Sequence, residues 1–382
     1  MKAMHPALAF ARAKQSEIID LIRELVECES SSDDPAAVNR FVDLVASKVE
    51  GQAKVRTFPG RRFGRHLRCE FVLPGKSQQG QILVLGHSDT VWSMGTLAGM
   101  RFRQEGGRLW GPGVLDMKSG IAFFLFAIQA LRKLDLPVRR KIVLQLNSDE
   151  EVGSETSRPL TEEAARRSAA VLVLEPGTGL EGKLKTARKG VGAYTVTVHG
   201  QAAHAGVDFE AGASAIVELS KQVEKIAGFT DLKRGLTVNP GVISGGTRTN
   251  VIAAEAMAAV DVRIARAKDA SALDRKFRAL RPFDKRCKLQ VEGGLNRPPM
   301  ERTLAILGLF QTARGLAQQL GVDLEESATG GGSDGNFTAA LGVPTLDGLG
   351  GVGEGAHANH ESILVDRIAD RTALLALLMA AL

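Results

Sequence analysis

The chain has 382 residues, 44% of them hydrophobic and 24% charged, with a formal net charge of +6 and a pI near 9.3. That length exceeds the usual size of one hydrophobic core, and the composition is that of an ordinary globular protein, so two domains are expected and a disordered chain is excluded. Lys and Arg are spread out, with only short clusters such as Arg61, Arg62, Arg65 and Arg68 or Arg139, Arg140 and Lys141, which read as solvated faces, not as a nucleic-acid track, while the basic balance favours an anionic small substrate.

In chain order, Ile18, Leu21, Ile22 and Leu25 recur at helical spacing, and the cluster at 30–35 ends that helix. A second helix is predicted over 36–49. Apolar runs at 69–73 and 81–85 read as buried strands, the latter opening into Gly86-His87-Ser88-Asp89-Thr90. Residues 121–134 are apolar on most faces and read as a buried helix; 141–146 and 169–174 are strand-like and run directly into acids. Strands alternating with helices predict an α/β sheet, whose sites gather beyond the carboxyl ends of the strands. Near Gly190 the rhythm changes. Residues 191–198 alternate as a half-buried strand, followed by a helix at 213–226, strands at 236–243 and 256–264, a helix at 270–280 and a strand at 288–292. That set can form its own small sheet with helices on one face. From Thr303 the first style resumes, with a glycine-rich loop at 330–335 and a closing helix over 366–382. The middle reads as an insertion, giving one domain from 1–188 with 300–382 and another from 189–299.

Cys28, Cys69 and Cys287 show no CxxC spacing, which argues against a disulfide framework or a thiolate zinc site and fits a reducing compartment. Charged residues interrupt the first 25 positions, so no signal segment is expected. No stretch reads as a transmembrane span, and the expected setting is cytoplasmic, without membrane contact.

Candidate chemistry stands at the ends of these elements. His87 and Asp89 point to one side if the segment stays extended, so His87 can bind a metal while Asp89 fixes the imidazole tautomer. Asp116, directly ahead of the apolar helix, is either a helix N-cap or a carboxylate bridging two ions. Glu150 and Glu151 follow Asp149; three consecutive acids form either an exposed turn or a metal-compensated site in which one glutamate ligates and the other takes a proton from water. Glu175 closes a strand before Pro176-Gly177, and His357 or His360 supplies a further imidazole. Five side-chain ligands with a spare carboxylate are what two zinc ions and a water require. The 330–335 loop lacks the following Lys-Ser or Lys-Thr of a phosphate cradle. His204 alone reads as a turn histidine, and Arg263 as a strand-surface arginine.

Segments 86–90, 113–120, 148–154, 174–177, 200–206 and 353–361 together resemble the M20 metallopeptidases, in particular their glutamate carboxypeptidase (carboxypeptidase G2) branch, in order along nearly the whole chain. The resemblance implies an α/β zinc-peptidase-like catalytic domain with a mixed sheet and flanking helices, interrupted by a ferredoxin-like α+β dimerisation or lid domain. It implies two Zn, with Co or Mn as substitutes: His87 and Glu175 on one, Glu151 and His357 on the other, Asp116 bridging. Glu150 falls on the general base and Asp89 on the acid behind His87. His357 is preferred to His360 because the family's ligand stands four residues ahead of a glutamate, here Glu361. His204 would reach the partner subunit's site in a homodimer and steady the oxyanion, while Asn250 and Arg263 would line the substrate site, with Arg297 a weaker candidate of the same kind. The implied activity is hydrolysis of a peptide or amide bond that releases a C-terminal amino acid, glutamate or another acidic residue. The alternatives are an N-acyl amino acid deacylase, of the aminoacylase, acetylornithine deacetylase or succinyl-diaminopimelate desuccinylase type, and a non-catalytic binding protein on the same fold.

Overall fold

The computed structural model describes residues 4–75 and 79–382. The chain divides into two units: one runs up to Ala187 and adds Arg302–Ala328 and Ser333–Leu382, and the other comprises Arg188–Glu301 with Thr329–Gly332. The main sheet of the first unit has six strands in the order Ala53–Pro59, Arg65–Phe71, Lys141–Asn147, Gln81–His87, Ser168–Val173 and Thr345–Leu346. The first two pairings are antiparallel and the last three parallel. The unbroken apolar run at 82–85 is explained by burial on both faces: Ile82 and Val84 join one core, Leu83 and Leu85 another.

Gln81–His87 lies at a reversal of strand order. From it the chain passes through the helix Ser119–Lys133 to Lys141–Asn147 on one side, then through the helix Arg158–Arg166 to Ser168–Val173 on the other. The carboxyl ends of three neighbouring parallel strands therefore flank a topological switch point, where α/β sheets hold ligands. A smaller sheet, Gly353–Glu354, Ser362–Leu364, Arg108–Trp110 and Arg103–Glu105, brings the 355–361 loop beside the 111–116 loop.

The stretch Val114–Lys133 corrects one expectation: by length and composition it is apolar enough to cross a membrane, with mean hydropathy 1.6, yet it is 89% buried inside the fold and its regular helix begins only at Ser119. It is a core helix packed against Ile368–Ala381.

The second unit has four antiparallel strands in the order Thr237–Gly245, Glu255–Ile264, Gly190–His199 and Lys288–Arg297. Tyr194, Val196 and Val198 on one strand and Ala256, Ala258, Val260 and Val262 on its neighbour all point to one buried face. Two helices, Ala215–Ala227 and Ala267–Arg278, cover that face through Leu219, Ile226, Leu273 and Phe277. The βαββαβ order is ferredoxin-like. Thr329–Gly332 group with this unit, whereas the sequence reading placed all of 300–382 in the first.

Candidate metal centre

His87 is the last residue of its strand and is buried. Its Nε2 lies 3.2 Å from Asp116 Oδ1 and 3.6 Å from Glu175 Oε1. On the other side of Asp116, Oδ2 lies 3.3 Å from His357 Nε2, and the same nitrogen is 3.4 Å from Glu151 Oε2. One carboxylate thus faces two imidazoles, one per oxygen, each accompanied by a glutamate. Metal-ligating atoms of His87, Glu150 and Glu175 lie within 4.8 Å of one another, as do those of His87, Asp116 and Glu151.

Each side chain is placed by its element. Asp116 is not an N-cap: the helix begins at Ser119, and Asp116 takes non-helical angles of φ −113° and ψ 92° in the preceding turn. Glu175 sits two residues beyond its strand, in a segment clasped by glycines; a Cβ at Gly350 would lie 2.1 Å from the Leu174 carbonyl oxygen. Arg371, buried, donates to the carbonyls of Gly182, Gly348 and Gly350 and so ties down the loops around that segment. His357 adopts the left-handed φ of 63°, a conformation costing about 1–3 kcal/mol in a non-glycine residue. Of the two histidines in this loop, His357 meets Asp116 and Glu151, while His360 makes no ion pair with an acid among the described residues.

Asp89 meets His87 through its backbone and not through its carboxylate. His87 Nδ1 lies 2.9 Å from the Asp89 backbone carbonyl, while the Asp89 carboxylate is 3.6 Å away, too far for a hydrogen bond. That carboxylate instead accepts the backbone N–H groups of Glu150 and Glu151, each at 3.2 Å, and the Ser32 hydroxyl at 2.9 Å. It fixes the turn that presents both glutamates. Asp149, the third acid of the run, faces elsewhere: it accepts from the Thr156 amide at 2.6 Å and hydroxyl at 2.7 Å. The run is not three acids sharing one space.

The electrostatics fit a cationic occupant. Burial works against the charged form of Asp116, yet His357 and His87 hold its carboxyl far below the usual carboxylate range. Those same acids raise the imidazoles: Asp116 and Glu151 push His357 up to about 10, and His87 lies well above its ordinary value despite burial, through Asp116 and Asp89. Burial raises Glu151, partly offset by His357. Glu151 Oε1 is buried with no hydrogen-bond partner among the described residues, which leaves a donor atom suited to a metal. Imidazoles and carboxylates without thiolate form a donor set that zinc accepts.

The remaining candidates lie in the second unit. His204 and Asn250 are both exposed, and their segments adjoin: His204 pairs with Val251 in an isolated bridge, and the Asn250 carbonyl accepts the Ala205 N–H at 3.0 Å. Arg263 is engaged by its own strand, Nε and Nη2 each donating at 2.9 Å to the two oxygens of Asp261. Arg297 is buried, its Nη1 3.2 Å from Asn296 Oδ1. Ser32, Trp92 and Glu361 escaped the sequence reading as site-supporting residues. Only Glu361 carried a signal, its position four residues after His357.

The model of "Peptidase family M20/M25/M40" matches residues 83–381. Carboxypeptidase G2 of Pseudomonas sp. (strain RS-16) is 30% identical over 366 residues, 91% of this chain and 85% of that protein. Acetylornithine deacetylase of Myxococcus xanthus is 30% identical over 188 residues, covering 46% of this chain and 47% of that one. The fold is similar to the crystal structure of aminopeptidase PepT from Bacillus cereus ATCC 10987, with a TM-score of 0.79 and 23% identity over 96% of this chain and 98% of that one. The chain belongs to peptidase family M20/M25/M40 and is a hydrolase of its metallopeptidase and amidohydrolase kind.

Proposed function

We propose that this protein hydrolyses a peptide or amide bond to release a C-terminal amino acid, glutamate or another acidic residue, with two zinc ions that cobalt or manganese can replace. The observation that carries the two-ion reading is the Asp116 carboxylate, whose oxygens face separate imidazole–glutamate sets. His87 and Glu175 would hold one ion, His357 and Glu151 the other, with Asp116 shared. When bound, the ions supply Lewis-acid polarisation of the scissile carbonyl and a water acidic enough to ionise near neutral pH.

Glu150, grouped with His87 and Glu175, takes the proton of the attacking water and returns it to the departing amine. Asp89 holds Glu150 and Glu151 in place through their amides. His204 of the partner subunit donates to the oxyanion. A homodimer is supported by the edge strand Thr237–Gly245, which exposes Val242 and Ile243 near the exposed Ile216 and Val217 of the adjacent helix, a surface that pairing would cover. Asn250 and Arg297 line the substrate, and Arg263 serves a substrate carboxylate by exchanging Asp261 for it. The acidic preference is supported by the net charge of +6 and by the likeness to Carboxypeptidase G2. Three free thiols support a cytoplasmic setting.

The second reading, an N-acyl amino acid deacylase, is favoured by the likeness to acetylornithine deacetylase and uses the same centre. The test of the shared chemistry is Glu150→Gln, expected to keep both ions and to lose turnover by about 10²- to 10⁴-fold. Retained turnover would remove Glu150 as the base.

A further inference from the structure

Glu361 stands four residues after His357, and its side chain is fully buried. Four donors converge on its carboxylate. Oε1 accepts the backbone N–H of Leu115 at 2.8 Å and of Asp116 at 3.0 Å; Oε2 accepts the N–H of Gly113 at 2.9 Å and the Trp92 indole N–H at 2.8 Å. The Glu361 carbonyl takes the Gly111 N–H at 3.3 Å, and its own amide donates to the Ala358 carbonyl at 2.9 Å, one residue past His357. Each carboxylate oxygen serves two N–H groups, and only an ionised carboxylate presents acceptors on both sides; an amide places an NH₂ against two donors in either orientation.

These bonds join two loops that the sequence separates by about 240 positions. One carries Asp116, the other His357. The other histidine and its glutamate have a different support, since His87 ends one main-sheet strand and Glu175 follows the strand beside it. We infer that Glu361 is a positioning residue that locks the Asp116 loop to the His357 loop and thereby governs the ion position at His357, Asp116 and Glu151 more than the position at His87 and Glu175, which shares Asp116 but takes its other two residues from the sheet. This inference rests on the two-ion reading proposed above.

The experiment is calorimetric titration of Zn²⁺ into the metal-free full chain, with bound ions counted by native mass spectrometry. Glu361→Gln is expected to bind one ion about 10- to 100-fold more weakly, the range for loss of a residue that orients ligands, and to weaken the other by less. Glu361→Asp, which keeps the charge but withdraws it by one methylene, is expected to fall between Glu361→Gln and the unsubstituted protein. A general loss of stability would weaken both ions together or neither. A folded Glu361→Gln protein that binds both ions normally, or weakens both equally, overturns the inference. Should that variant not fold, normal binding of both ions by Glu361→Asp overturns it. Unsubstituted protein that takes up fewer than two ions overturns the two-ion reading, and this inference falls with it.

Discussion

The Asp116 carboxylate raises both imidazoles above their ordinary range, and this sets how the centre answers to pH. His357 is pushed up to about 10 from an ordinary value of 6.5, so the metal-free protein carries it protonated at neutral pH. A group whose folded value is raised contributes stability that is full below its unfolded value and is lost as pH climbs through the folded one. Metal-free protein is therefore expected to lose stability from about pH 6.5 to about pH 10, read as a falling urea midpoint. Zinc needs the neutral ring, so loading at pH 7 should release protons and tighten as pH rises; uptake without proton release, measured in buffers of different ionisation enthalpy, contradicts this. Asp89 gives a second residue-scale prediction. Because its carboxylate holds the amides of Glu150 and Glu151, while its backbone carbonyl meets the His87 ring, Asp89→Ala should lower kcat by about 10- to 100-fold, and an unchanged kcat would remove the Asp89 carboxylate from the support of the site. At this scale the sequence showed which residue types stood at strand ends, but not their aim: Asp149 and Asp89 both make contacts that spacing does not encode.

Among the elements, those with a strong apolar period were legible. The reading over 36–49 corresponds to the helix Pro35–Lys48, and 81–85 to the strand Gln81–His87. The strand Ala53–Pro59 was missed because it is a mostly exposed edge without alternation, and the helix Arg158–Arg166 because it buries only Thr161, Ala164 and Ala165. The helix Pro6–Ala13 was missed as well; its buried side chains are Ala7, Leu8 and Ala11, a face too small to register as a helical stripe. Close backbone approach also left no pattern. Gly350 is the clearest case, since a Cβ there would meet the Leu174 carbonyl at 2.1 Å and the Glu175 carbonyl at 3.0 Å. Gly350→Ala should cost about 1–3 kcal/mol in urea unfolding and displace Glu175, so that metal content falls with stability; a neutral effect on both would show that the segment yields.

For the whole molecule, the change of rhythm near Gly190 was legible because each unit builds its own core. Phe277 anchors the second, fully buried and stacked on Tyr194 with ring centroids 3.8 Å apart. Phe277→Ala should cost that unit about 3–5 kcal/mol while leaving zinc uptake by the first intact, measured as protection loss confined to 188–301 in hydrogen exchange; loss of zinc binding would show that the units do not act separately. The assembled account is of a hydrolase whose centre lies at the switch point of the first unit's sheet. Its most direct test is release of free amino acid from folate-type glutamates, dipeptides and N-acyl amino acids by zinc-loaded protein beside a chelated control. The account predicts zinc-dependent release that favours substrates ending in an acidic residue. Release that persists in the chelated control, or a zinc-loaded protein with two ions bound that cleaves none of the panel, would contradict it.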